Sequence, residues 1–203
     1  IIEVSATPQV NPSAEDVLNK SAAMVPVLFS DVVASGLIKQ ETLINPNVGK
    51  YVDIATSADD LVLQAALAKR LELQDLYKAN GIQVNPLVLV QLPSEKEKTS
   101  ALDVSMREAV EAALALQGIT VDNNKLAIWL SEEKTDNLKL IEKNLSEVEV
   151  LIFKEAVAVG WDCPRAQILV MLRDIKSLTF EIQTVGRVLR MPEAAHYDVA
   201  DLN

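Results

Sequence analysis

Apolar residues follow two rhythms along the second half of this chain. Pro86 to Leu92 (PLVLVQL), Leu126 to Leu130 (LAIWL), Val148 to Phe153 (VEVLIF) and Gln167 to Leu172 (QILVML) are short, nearly continuous apolar runs, and they predict buried strands. Between and after them apolar positions recur at helical spacing. This predicts helices over residues 101–117, closed by Gly118, over 135–145 and over 177–190. Pro93 to Ser100 (PSEKEKTS) reads as a charged, solvated loop. Strands apolar on both faces and separated by helices predict an α/β fold, a parallel sheet with helices on both faces. Ligand chemistry in such sheets gathers in the loops at the strand carboxyl ends.

The first 85 residues are less regular. IIEV at 1–4 predicts a short buried strand that Pro8 stops, and residues 9–23 read as polar and irregular. A short helix is predicted over 24–35, with Ser30 as a candidate cap and Gly36 as its stop. Leu37 to Ile44 reads as a strand, and Asn45-Pro46-Asn47 as a turn. Residues 58–79 carry the longest helical pattern. Leu61, Ala65, Ala68 and Leu71 are expected to face the core, and Gly81 to close the helix. The chain opens without Met and directly on a strand, so it is expected to be part of a longer protein.

Composition narrows the chemistry. With 203 residues, 49% of them hydrophobic but only 4% aromatic, aliphatic side chains must build the core. One Cys and one His exclude an internal disulfide and a His/Cys zinc cluster, which fits a reducing cytoplasm. Cys163, before Pro164, reads as an inert buried thiol, and His196 as a surface residue. No apolar run approaches the ~18 residues of a membrane span, and no stretch of these residues reads as a signal peptide. The net charge of −10 argues against indiscriminate nucleic-acid binding. Residues 160–190, however, hold Arg165, Arg173, Lys176, Arg187 and Arg190 against three acidic residues, which suggests a local anion site.

The most informative stretch is Gln183-Thr184-Val185-Gly186-Arg187-Val188-Leu189-Arg190. On a helix, Gln183, Gly186, Arg187 and Arg190 share one face, with Gly186 leaving room between the long side chains. Two guanidinium forks on one face suit the oxygens of a transferring phosphoryl group. The plainer alternative is that both arginines form surface ion pairs, for example with Glu181 or Glu193.

These residues resemble motif VI of superfamily-two helicases. Lys154 to Ala166 (KEAVAVGWDCPRA) resembles motif V in the form of type III restriction enzyme motor subunits. Val4 to Pro8 (VSATP) resembles motif III, and PLVLVQL the motif IV strand. The motifs stand in the family's order, III, IV, V, VI. The resemblance implies the end of a first motor lobe over 1–8, a connection or insertion and the start of the second lobe over 9–84, and a RecA-like second-lobe core over 85–203. It implies that Arg187 and Arg190 act as arginine fingers toward ATP and its Mg2+, with Gln183 orienting them. Gly160 and Asp162 would approach the nucleotide, Asp162 at the ribose or at a motif VI arginine. Ser5 and Thr7 would couple nucleotide state to lobe closure. The loops at Gln91, Ser131 and Lys154 would face DNA, although relatives often carry Thr near the Lys154 position.

The partners so implied are DNA, a first motor lobe, a downstream nuclease domain and a methyltransferase or specificity subunit, in a bacterial cytoplasm. Alternatives stay open: Asp162 as a turn cap, Trp161 as packing in preference to a base-stacking platform, another superfamily-two motor, or a non-catalytic RecA-like binding module. The sequence has neither a G-x-x-x-x-G-K-[ST] loop nor an Asp-Glu magnesium motif, so this chain supplies at most one wall of an ATP site.

Overall fold

The computed structural model describes residues 13–20, 23, 25–52, 57–93, 100–154, 161–172 and 184–203, with 100–105 as backbone only. Four strands, β1 (Leu87–Gln91), β2 (Leu126–Trp129), β3 (Val150–Phe153) and β4 (Ala166–Met171), form one sheet in the order β2-β3-β1-β4, and every pairing is parallel. The predicted α/β fold with a parallel sheet is therefore present.

The described α-helices are α1 (Ala14–Leu18), α2 (Phe29–Ala34), α3 (Ala58–Ala79) and α4 (Ser100–Leu116), and residues 184–188 are also helical. Leu63, Ala66 and Leu67 of α3 pack with Val110 and Leu114 of α4 on the sheet face that presents Val88, Val90, Ile128 and Ile152. The opposite face presents Leu87, Leu89, Ala127, Leu151 and Phe153. It is covered by Ile141, Val148, Trp161, Cys163 and Val188. The chain reaches β2 from β1 across the first face. It returns to β3, and then passes on to β4, across the second. Direction and face reverse together, which keeps a single crossover hand.

Several elements differ from expectation. α3 spans the predicted residues, and Gly81 beyond it has φ +70°. Its buried stripe, however, is Leu63, Ala66, Leu67, Arg70, Leu73 and Tyr77, while Leu71 is exposed. The apolar pattern misplaced this face because a buried arginine lies within it. The Arg70 guanidinium bonds the Pro86 carbonyl at 3.0 Å and Asn85 Oδ1 at 2.6 Å, and pairs with Glu149 at 3.2 Å.

A 3-10 turn (Asp136–Leu140) replaces the helix expected over 135–145. Here Thr135 Oγ1 accepts from the Ile128 N–H and Asn137 Nδ2 donates to the Leu126 carbonyl, so the side chains tie this segment to β2 and compete with helix continuation. Residues 37–44 are not a strand. Among the described residues only Ile38 pairs, in an antiparallel bridge with Arg190. α1 was not expected in the polar region. Its signal is the Ser13–Asp16 capping box. Leu28, not Ser30, stands at the start of α2. The strand expected at 1–4 and the charged run at 95–98 lie outside the described residues.

Arg165 corrects a functional expectation. It is fully buried, donating to the carbonyls of Ile141 at 2.6 Å, Asn85 at 2.7 Å and Val148 at 3.0 Å. It ties the loops before β1, β3 and β4 together and takes no part in a surface anion site. Arg165→Met should lower stability by about 3 kcal/mol, since three buried carbonyls lose their donor, read as a drop in the urea unfolding midpoint. An unchanged midpoint would remove Arg165 from the framework.

Candidate functional site

The return path from β3 to β4 brings Trp161 and Asp162 over the second face. Trp161 is buried, edge-on to Trp129 at the end of β2, with ring centroids 6.3 Å apart. That placement is packing, not an exposed stacking platform. Cys163 is buried beneath it, and burial pushes its thiol up to about 11, away from reactivity. Between these two anchored residues Asp162 points outward and is half exposed.

The second contributor is the helical run 184–188. Thr184 and Val188, one turn apart, are its buried positions. They fix the rotation of this short helix so that Arg187 lies at the border of the covered face. Arg187 Nη1 donates to the Trp161 carbonyl. Burial first, and then the neighbouring Arg190 charge, pull the Arg187 guanidinium below its usual range, while Asp162 opposes the shift. Arg190 lies beyond the helix, in the bridge with Ile38, so the single helical face expected for 183–190 is not continuous. Its guanidinium pairs with Asp162 Oδ1 at 2.5 Å, the two side chains being 47% and 56% exposed.

The structure thus gathers Asp162, Arg187 and Arg190 into one cluster over the second face. Gly186 lies within the same helix, and a Cβ there would meet nothing within 4 Å. Among the described residues nothing imposes a need for glycine at this position. Gln183, Gly160, Ser5 and Thr7 lie outside the described residues.

The sheet order sets Ser131, Lys154 and Gln91 side by side along the carboxyl rim. Ser131 is exposed and Lys154 half-buried. Gln91 is fully buried, with Nε2 3.4 Å from the Lys154 carbonyl, so its side chain is not available to nucleic acid as the motif had implied. The strand ends at Gln91, and its side chain falls on the covered second face with Leu87 and Leu89.

Two residues of this neighbourhood were given no role by the sequence. Lys39 Nζ donates to the Val188 carbonyl at 2.5 Å, its backbone N–H donates to the Leu189 carbonyl at 2.7 Å, and burial lowers its ammonium to about 7. His196, expected at the surface, is half-buried and bonds both Gln40 and the Ile38 carbonyl. Neither had a sequence signal, because both contacts join segments about 150 residues apart.

No family model matches the chain, and no curated protein matches it. No helix among the described residues is long and apolar enough to cross a membrane.

Two outcomes follow from this geometry. Gly186→Ala should leave the fold intact and raise stability by up to about 1 kcal/mol, from helix propensity alone; a marked loss in thermal unfolding would contradict the open space at this position. Lys39 titrates near its ordinary value when unfolded and at about 7 when folded. Between those values the unfolded state holds more protons, so stability should rise with pH, by no more than about 1.4 kcal/mol per unit. Urea midpoints at pH 7 and 9, compared with Lys39→Met, isolate this slope. Above pH 9 the raised Cys163 thiol pulls the other way.

Proposed function

We propose that this chain is the second motor lobe of an ATP-driven superfamily-two helicase or translocase, of the type III restriction enzyme kind. The observation that carries the reading is the Asp162–Arg190 ion pair with Arg187 beside it. It brings Asp162, from the stretch resembling motif V, and Arg187 and Arg190, from the stretch resembling motif VI, to one place on a parallel α/β sheet although they are distant in sequence. The order of the four motifs supports the same conclusion.

The cluster fits the outer oxygens of a triphosphate. Guanidinium forks match phosphate oxygens, and removal of Arg187 from water makes its charge more effective. An exposed ion pair such as Asp162–Arg190 is worth at most about 1 kcal/mol. Arg190 can therefore exchange the carboxylate for a phosphate at little cost. Asp162 in that reading holds the guanidinium ready and turns to a ribose hydroxyl, or receives Arg190 again, as the nucleotide changes. Magnesium and the inner phosphates have no ligand set in this sequence, which lacks both the phosphate loop and the Asp-Glu motif. A first lobe would hold them, and DNA would lie along the rim near Ser131 and Lys154. In the restriction setting a nuclease domain and a methyltransferase or specificity subunit complete the machine.

Hydrolysis then depends on closure, because the arginines reach the phosphates only when the lobes meet. An arginine supplied in this way is worth roughly 10³–10⁵ in rate. In the two-lobed protein Arg187→Ala and Arg190→Ala should each reduce ATP turnover by at least about 10³-fold while ATP binding is largely kept. Arg187→Lys should fail as well, since an ammonium lacks the fork. This chain alone should turn over ATP negligibly. Undiminished hydrolysis in both alanine variants would reject the assignment.

A further inference from the structure

The segment 36–40, far from the arginines in sequence, is fastened to the backbone that carries them. Lys39 satisfies two successive carbonyls, Val188 through its ammonium and Leu189 through its N–H. These lie at the end of the 184–188 helix, where carbonyls lack intrahelical partners and favour a cation. Leu37 accepts from the Met191 N–H at 3.1 Å, and Ile38 bridges Arg190. The backbone on both sides of Arg190 is therefore held from the same segment.

The far end of the segment is fastened independently. His196 sits between Gln40 Nε2, 3.0 Å from Nδ1, and the Ile38 carbonyl, 2.9 Å from Nε2. The Ile38 carbonyl can only accept, so Nε2 carries a proton and donates, leaving Nδ1 to accept from the Gln40 amide. Gly36 passes so close to the opposing strand of chain that a Cβ would lie 2.9 Å from Ala195 Cα and from the His196 nitrogen. Its φ of +75° is one that L side chains rarely adopt.

We infer that residues 36–40 form a clasp that sets the reach of Arg187 and Arg190, with Lys39 as its positioning residue. The inference rests on the reading of those arginines as phosphate contacts. Its physical basis is the weakness of what else holds Arg190. The Asp162 pair is half exposed and readily exchanged, so the direction in which Arg190 points is set by its backbone, and the clasp fixes that backbone. Lys39 touches no reacting atom in this account. Its effect passes through the Val188 and Leu189 carbonyls to the residues on either side of them.

The test compares Lys39→Met, Lys39→Arg and His196→Ala with Arg187→Ala in the two-lobed protein, by steady-state ATP kinetics. Lys39→Met should lower kcat about 10-fold or more with the KM for ATP changed less than about threefold, because alignment is lost while ground-state binding is kept. Lys39→Arg should recover most of the rate. In this chain alone, the Arg190 Nε–H signal in a proton–nitrogen spectrum should shift and broaden in Lys39→Met. His196→Ala loosens the other end and should show the same pattern in milder form, which keeps the test open if Lys39→Met does not fold. If Lys39→Met keeps wild-type kcat while Arg187→Ala abolishes turnover, the clasp is refuted and the arginine reading survives. A lowered unfolding midpoint with an unchanged Arg190 signal would make the role merely structural and also overturn the inference. Full turnover by Arg187→Ala would remove both.

Discussion

A parallel sheet covered on both faces obliges the chain to travel back over it after every strand. The rest of the structure depends on that constraint. The route after β1 uses the first face and brings α4 against α3. The routes after β2 and β3 use the second, and the last of these carries Trp161, Asp162 and Cys163 across Leu151 and Phe153. The helical run at 184–188 settles on the same face through Val188. Asp162 and the two arginines meet because neighbouring segments must cover the same apolar surface, with Trp161 and Val188 as the buried pegs on which the polar groups hang.

The opposite end of the sheet is held by two buried arginines. Arg70 and Arg165 lie within the fold with their guanidinium groups spread over backbone carbonyls, Asn85 and Glu149. These groups organise the loops that enter β1, β3 and β4. The arginines of the candidate cluster differ in kind, since Arg190 ends half exposed on a single carboxylate. Burial separates the framework cations from those free to change partners, a distinction the list of basic residues between 160 and 190 does not contain. The carboxyl-terminal segment also closes on α3, where Tyr197 packs edge-on to Tyr77 at 5.7 Å.

Much of the sheet was legible in the sequence, because four apolar runs bounded by polar residues leave few choices. All four strands fall within one or two residues of expectation. Long-range polar contacts were not legible. The α3 face turned on Arg70, whose partners Asn85, Pro86 and Glu149 lie elsewhere in the chain. Residues 37–44 carried a strand-like pattern, but among the described residues they pair only with Arg190, as a strap. Gln91 looked like a polar residue at a ligand-bearing rim, yet strand alternation turns it onto the covered face. Arg187 and Asp162 were marked by motif, and their meeting by way of the Trp161 backbone is a tertiary fact that spacing alone did not contain.

The central claim is that Arg187 and Arg190 serve a triphosphate delivered from a facing lobe. The most direct measurement is a structure of the two-lobed protein holding ADP, magnesium and a metal-fluoride mimic of the transferring phosphoryl group. The account predicts both guanidinium groups within about 3 Å of the fluoride or phosphate oxygens, with the Asp162–Arg190 pair opened. If Arg190 stays on Asp162, Arg187 stays on the Trp161 carbonyl and neither faces the nucleotide, the motor reading of this chain is wrong.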